Sequence, residues 1–265
     1  GDIVHSIGID RDVYILDFSF KRPEMRGICA YAKNVTVIDH HKTAQAELEN
    51  WEDAPENLQI IFDMAKSGAG LTWDTFHGVE EPRPALVNYV EDRDLWKFAL
   101  ARSKDMNAYI NLRPWKFYAY KELHDELETL PGDVVEVGKA LNEYTQQICN
   151  QIAKDLARPC IFEFESARFE GLIANCTGQF ASEVGYILAK RSGKFGATSY
   201  TDSNGNLRVS LRSIGDFDVS ALAKLYGGGG HKNAAGFIVP ADASGNIAAV
   251  KFWIPEVSSE GKEGN

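Results

Sequence analysis

The chain has 265 residues, of which 44% are hydrophobic, and a formal net charge of −10 at pH 7. That length has room for two modest domains with their own cores. The acidic balance excludes broad, sequence-independent binding to long duplex nucleic acid, which needs basic surface, but leaves a small anionic substrate open.

No apolar run approaches the ~18 residues that would span a membrane. The four cysteines, Cys29, Cys149, Cys160 and Cys176, form no CxxC pair. A zinc knuckle or thioredoxin-like motif is therefore not expected, and a reducing, cytoplasmic setting is.

In chain order, residues 13–16 are a short apolar run ending at Asp17. Residues 23–33 are helix-compatible, with Pro23 suited to a first turn. Val35-Thr36-Val37-Ile38 is a β-branched run ending at Asp39, and residues 58–62 are a third strand-like run, followed by a helix-like stretch over 68–76. Continuous apolar strands separated by helices predict a parallel sheet covered on both faces, with ligands beyond the carboxyl ends of its strands. Asp17 and Asp39 lie at such ends.

Residues 84–130 read as mostly helical. Residues 134–157 have apolar spacing near 3.6, through Val137, Leu141, Tyr144, Ile148, Ile152 and Leu156, and predict a long helix stopped before Pro159. The composition then shifts. Strands are expected over 161–165, 168–174, 195–200 and 207–211, and helices over 181–191 and 219–226. Asp202-Ser203-Asn204-Gly205 marks a turn between two of the strands. The class is α/β. The expected domains are 1–130 with the parallel sheet, a connecting helix over 131–158, a smaller C-terminal α/β domain over 159–255, and a frayed tail over 256–265.

Two constellations carry chemistry. Asp39-His40-His41 offers a carboxylate and two imidazoles at a strand end. Asp17 ends a neighbouring strand, and Glu91-Asp92-Arg93-Asp94 adds a third acidic group. Mixed carboxylate and imidazole ligands suit manganese, and paired ions about 3.5–4 Å apart recur in phosphatases. The plain alternatives are that Asp17 caps the next helix and that Asp92 and Asp94 pair with Arg93 or Lys97 on a solvated face.

The second constellation is Gly227-Gly228-Gly229-Gly230-His231, with Ser210 and Arg212 on the preceding strand-like run. Four glycines are not expected inside a helix or strand. Such a loop lets backbone N–H groups approach an anion, with His231 and Arg212 as charged donors. Apolar flanks at 222–226 and 234–239 argue against a flexible linker. Ser67-Gly68-Ala69-Gly70 reads either as a helix N-terminus facing the active site or as a small-residue helix packed close to the sheet.

In this order the motifs resemble the DHH phosphoesterase superfamily. Asp39-His40-His41 is similar to its signature. Ser210-Leu211-Arg212 and the glycine run with His231, followed by Ala234-Ala235-Gly236, resemble the nucleotide-type C-terminal domain of RecJ-like exonucleases and nanoRNA phosphodiesterases. The resemblance covers roughly residues 10–240. It implies an N-terminal DHH domain in which Asp17 bridges two manganese ions, with magnesium or cobalt as alternatives. His40 and Asp92 would ligate one ion, with Asp94 the fallback for Asp92. Asp39 would orient His40, and His41 would contact the phosphate or act as general acid.

In the C-terminal domain, Arg212, Gly228, Gly229 and His231 would hold the terminal nucleotide's phosphate; Ser210 there, and Ser67 in the N-terminal domain, are further candidate site residues. The family's earlier motif, a histidine with two or three aspartates on a first strand, is not found here. Asp2, His5, Asp10 and Asp12 follow no apolar strand, so the resemblance implies a native segment ahead of residue 1.

The expected function is metal-dependent phosphodiester hydrolysis of short single-stranded oligonucleotides or small dinucleotides. No membrane or long duplex partner is expected, and the homodimer is left open. The rivals are a phosphomonoesterase or polyphosphatase, and a nucleotide-binding protein inactive for want of the first metal motif.

Overall fold

A computed structural model describes residues 10–129, 132–241 and 252–253. The expected tail over 256–265, together with Asp2 and His5, lies outside them. Chain contacts divide the protein into two compact units, Gly1–Tyr144 and Thr145–Asn265.

The first unit holds a parallel sheet of β1 (Asp12–Leu16), β2 (Asn34–Asp39) and β3 (Leu58–Phe62), in that spatial order. β1 pairs with β2 from Asp12↔Asn34 to Leu16↔Ile38, and β2 with β3 from Val35↔Leu58 to Asp39↔Phe62. One face packs Ile15, Val35 and Val37 against Met25 and Ile28 of α1 (Arg22–Cys29). α1 starts one residue before the expected Pro23 and stops at Cys29, earlier than expected. α2 (Lys42–Leu48) follows β2 directly.

α3 (Gly68–His77) lies by β1 and β2. The other face of β1 is only partly covered. Tyr14 is 52% and Leu16 43% exposed, and Tyr14 meets the edge of Phe76 from α3 at 5.2 Å. Cover on both faces, expected from the apolar strands, holds for β2 but not for β1 among the described residues.

The helical stretch resolves into α4 (Ala85–Asp94), α5 (Ser103–Ile110) and α6 (Phe117–Thr129). They bury Met106, Ile110, Leu123 and Leu127 with Val134 of α7 (Gly132–Asp155). α7 is the long helix the 3.6-residue spacing predicts, and the division between the units falls inside it.

The second unit is a seven-stranded mixed sheet. Its strands are β4 (Arg158–Phe164), β5 (Ala167–Asn175), β6 (Phe195–Thr201), β7 (Leu207–Ser213), β8 (Gly229–His231), β9 (Ala234–Val239) and β10 (Phe252–Trp253). The spatial order is β10-β4-β5-β6-β7-β9-β8. Only β5–β6 is parallel. Pro159 opens β4 rather than merely stopping the helix, because a strand's first residues tolerate a missing N–H.

α8 (Ala181–Ser192) packs on β5, β6 and β7, and α9 (Val219–Leu225) on β8 and β9. The core gathers Phe162, Phe195, Leu211, Leu222 and Phe237.

The glycine run departs from its expected loop form. Gly227, at φ 78°, ends α9, its N–H donating to Lys224 O at 3.0 Å, while the Gly228 N–H donates to Ala223 O at 2.9 Å. These two bonds make a Schellman cap. Gly229 and Gly230 then enter β8, an edge strand paired antiparallel with β9. A strand of glycines forms here because β9 lies too close for side chains: a Cβ on Gly228 would stand 2.1 Å from Gly236 O, and one on Gly230 2.5 Å from Ala234 O.

Candidate functional site

The carboxyl ends of β1 and β2 come together because the strands are parallel and in register. Asp17 follows β1 in a left-handed turn at φ 56°, its N–H donating to Ile38 O at 2.8 Å. Asp39 is the last residue of β2 and His40 follows it.

Asp39 is fully buried, and its carboxylate is saturated. Oδ1 accepts from the His40 N–H at 2.7 Å, from the His41 N–H at 3.2 Å and from His41 Nδ1 at 2.7 Å. Oδ2 accepts from the Ser19 hydroxyl at 2.6 Å. Burial pushes the Asp39 carboxyl up, but the His41 and Ser19 hydrogen bonds hold it below the usual carboxylate value. The ring it hydrogen-bonds is that of His41; it accepts the His40 backbone N–H, and its charge also helps raise the His40 pKa.

A carboxylate can only accept, so Nδ1 of His41 carries a proton toward Asp39. The Asp39 hydrogen bond raises the His41 pKa against the opposing effect of burial.

His40 is 1% exposed. Its Nε2 lies 3.1 Å from Asp17 Oδ1 and 3.2 Å from Asp94 Oδ2. Burial pushes its pKa down, but the Asp17 hydrogen bond and the Asp94 charge leave it raised. Asp94 titrates above the usual range through burial and the neighbouring charge of Asp17, although His40 opposes both.

Asp92 stands elsewhere, and this corrects its expected role. Its oxygens accept from Ala99 N at 2.9 Å and Leu100 N at 3.1 Å, tying down the turn after α4. Burial would raise its pKa, but Ser103 and those two backbone donors lower it. The carboxylate that reaches His40 is Asp94.

By the chemistry of its donors this cluster fits a divalent cation. Two carboxylates crowd one imidazole nitrogen. Ligand atoms of Asp17, Asp39 and His41 also lie within 4.8 Å of one another. Like charges at such range are stabilised by a cation between them.

Ser67 is committed to structure. Its hydroxyl accepts from the Gly70 N–H at 3.0 Å as the N-cap of α3, and its own N–H donates to Glu91 Oε2 at 3.0 Å. It is 1% exposed. The expected substrate role is corrected on that ground.

The two glycines after Ser67 each make room for a carboxylate. A Cβ on Gly68 would stand 2.2 Å from Asp17 Oδ1, and one on Gly70 2.1 Å from Glu91 Oε2. Arg83 braces this corner, donating to Glu91 Oε1 at 2.8 Å and to Asp74 Oδ1 at 2.7 Å. Ser19, Arg83 and Glu91 were not read from the sequence as site residues. Glu91 had a signal, since it lies three residues before Asp94 on the same helix face.

In the second unit, Arg212 on β7 donates through Nη2 to the Ser182 hydroxyl at 2.6 Å and through Nη1 to Leu211 O at 2.8 Å. Gly185 of α8 passes beneath it, where a Cβ would stand 3.0 Å from Arg212 Cγ. Ser210 lies on the same strand, opposite Gly236 of β9. His231 ends β8 opposite Ala234 and is partly buried. With the Gly228 N–H committed to Ala223, that glycine offers a close approach of bare backbone rather than a donor. Ser182 was also missed, because nothing in its local sequence marks it.

Residues 171–251 match the DHHA1 domain family. The chain is 29% identical over 231 residues to an uncharacterized protein, R106, of Acanthamoeba polyphaga mimivirus, covering 86% of this chain and 53% of that protein. It is 27% identical over 237 residues to oligoribonuclease NrnB of Bacillus subtilis (strain 168), covering 84% and 57%. The chain thus spans about half the length of the curated relatives it matches. Among solved structures, an exopolyphosphatase-related protein from Bacteroides fragilis aligns at a TM-score of 0.47 with 17% identity, over 89% of this chain and 68% of that one. The DHHA1 match over residues 171–251 and the similarity to NrnB, in a chain whose second strand ends at Asp39 with His40-His41 following, agree with the resemblance of the whole chain to the DHH phosphoesterase superfamily.

Proposed function

We propose that the protein is a manganese-dependent phosphodiesterase that releases mononucleotides from short single-stranded oligonucleotides or small dinucleotides. The observation that carries this reading is the convergence of Asp17 and Asp94 on His40 Nε2, at 3.1 and 3.2 Å. The similarity to an oligoribonuclease supports a nucleotide substrate.

Asp17, His40 and Asp94 would hold the ion. When bound, such an ion supplies Lewis-acid polarisation of phosphoryl oxygens and an activated water. Asp39 holds the His41 ring by its Nδ1–H, and a second proton, on Nε2, is present only in the imidazolium form. The raised pKa of His41 favours the protonated form. As water adds to phosphorus and the bond to the leaving oxygen breaks, His41 would give that oxygen its proton. In the second unit Arg212, pre-set by Ser182, would hold the terminal nucleotide's phosphate, with His231 and the bare backbone of Gly228 and Gly229 beside it. The setting we propose is cytoplasmic; among the described residues no helix is long and apolar enough to cross a membrane.

The test uses full-length protein with manganese on 5′-labelled di- to pentanucleotides. Mononucleotide release that stops with chelator is expected. Release of phosphate from polyphosphate, with oligonucleotides left intact, would replace this reading with a polyphosphatase. Tight nucleotide binding without turnover would replace it with a binding protein.

A further inference from the structure

Residues 106–121 contain no aspartate or glutamate, in a chain that has 38 of them. The stretch carries Arg113, Lys116 and Lys121, and with them Trp115 and Phe117, the two most exposed aromatic residues among the described ones. Trp115 is 90%, Phe117 88% and Tyr118 62% exposed.

This exposure follows from the fold around it. α6 turns Ala119, Leu123 and Leu127 inward to the helical core. Phe117, Tyr118 and Lys121 therefore fall on its outer side, and Trp115 stands in the turn ahead of it. Arg113 is anchored, donating to the Tyr109 hydroxyl and to Glu126, each at 2.6 Å. It pins the base of the turn and leaves Lys116 and Lys121 exposed beside the rings. Three bare aromatics within four residues are unfavourable in water, and such patches mark places where something docks.

We propose that Trp115, Phe117 and Tyr118, with Lys116 and Lys121, form a stacking platform for single-stranded oligonucleotide. Aromatic rings interleaved with cations match the two recurring parts of a nucleic acid strand, its base faces and its phosphates. Charge complementarity selects this occupant. On a protein of net charge −10, Lys116 and Lys121 set two exposed cations beside these rings, where a polyanion can meet both. A two-fold contact with a second copy would set the same cations against one another.

The inference rests on the nucleotide reading above and deepens it: the substrate is a strand with several bases, rather than only a dinucleotide.

The experiment measures binding of a 5′-fluorescein-labelled single-stranded RNA decamer by anisotropy, in chelator so that no turnover occurs, across a range of salt. The proteins are the wild type, W115A/F117A, K116A/K121A and R212A. Stacking contributes enough per base that W115A/F117A is expected to weaken binding by about tenfold or more. K116A/K121A is expected to flatten the salt dependence by about two ions. Thermal melts verify that each variant folds, and W115F/F117Y, which keeps the rings, is expected to bind as the wild type does.

Unchanged decamer affinity in W115A/F117A overturns the platform. So does unchanged affinity accompanied by loss of self-association in sedimentation, or by loss of binding to phosphatidylglycerol vesicles. These outcomes separate from the broader reading. Decamer binding without hydrolysis under manganese defeats the proposed catalysis alone, whereas hydrolysis with affinity indifferent to Trp115 and Phe117 defeats the platform alone.

Discussion

Asp94 Oδ2 stands 3.2 Å from His40 Nε2, while Asp92, two residues earlier on the same helix, faces the backbone N–H groups of Ala99 and Leu100. The two carboxylates therefore fail differently when neutralised. Asp94→Asn should weaken manganese affinity by more than the roughly 10–100-fold that loss of a supporting partner costs, with the thermal midpoint little changed. Asp92→Asn should retain most metal affinity but lose about 1–3 kcal/mol of stability, because an amide cannot accept both backbone donors. Calorimetric titration with manganese and urea unfolding on the two variants decide this. The reverse pattern would restore Asp92 as the ligand.

Gly68 is a point where stability and function fall together. Alanine there would place a methyl 2.2 Å from Asp17 Oδ1. The methyl would also stand 2.5 Å from Asp17 Cβ, which no side-chain rotation removes, so the turn after β1 or the start of α3 must shift. Gly68→Ala should therefore lower the thermal midpoint, by about 1–3 kcal/mol in stability. Displacing Asp17 by about 1 Å should lower kcat/KM by about a hundredfold. A variant with full activity would show that Asp17 need not hold its observed place.

Two adjacent glycines at the end of α9 should respond unequally. Gly227, at φ 78°, has open space around it, so alanine costs only the left-handed backbone, about 1–2 kcal/mol. Gly228 faces the Gly236 carbonyl, which cannot move without parting β8 from β9. Gly228→Ala should cost about 3 kcal/mol or more. Urea unfolding monitored on the second unit ranks the pair, and equal losses would contradict the close strand contact.

Acid should find the Arg83 corner. The Arg83 hydrogen bond lowers the Asp74 carboxyl from 3.8 to about 2, against the opposing effect of burial. A depressed carboxyl favours folding above its unfolded value, and that contribution disappears as pH falls from about 4 to about 2. The size is about 2 kcal/mol. The stability gap between wild type and Asp74→Asn should be widest above pH 4 and close by pH 2. A gap that holds constant across that range would count against the shift.

The sequence carried the strands well because β-branched runs are short and sharply bounded; residues 58–62 were read to the residue. Asp17 and His40 could be brought together on paper because parallel strands bring their ends to one edge. Asp92 and Asp94 could not be told apart. Two residues apart on a helix means about 200° of rotation, and the sequence does not reveal which of the two turns toward β2. The glycine run misled for a related reason. Missing side chains signal a close neighbour without saying whether it is an anion, a helix end or a strand, and β9 supplies the answer only in three dimensions. The Ser67–Glu91–Arg83 brace was equally hidden, being assembled from three segments.

Arg212 lies folded over Gly185 with its Nη2 already on Ser182. A free arginine side chain surrenders up to ~2 kcal/mol of rotamer freedom when it is fixed. Here most of that loss is incurred when the chain folds, because the glycine leaves a trough in which the side chain can rest. A phosphate arriving there, as proposed, would meet the guanidinium as part of a stiff surface rather than as a tether. Affinity for an incoming phosphate then depends on what the phosphate does, and little on what the protein must first give up.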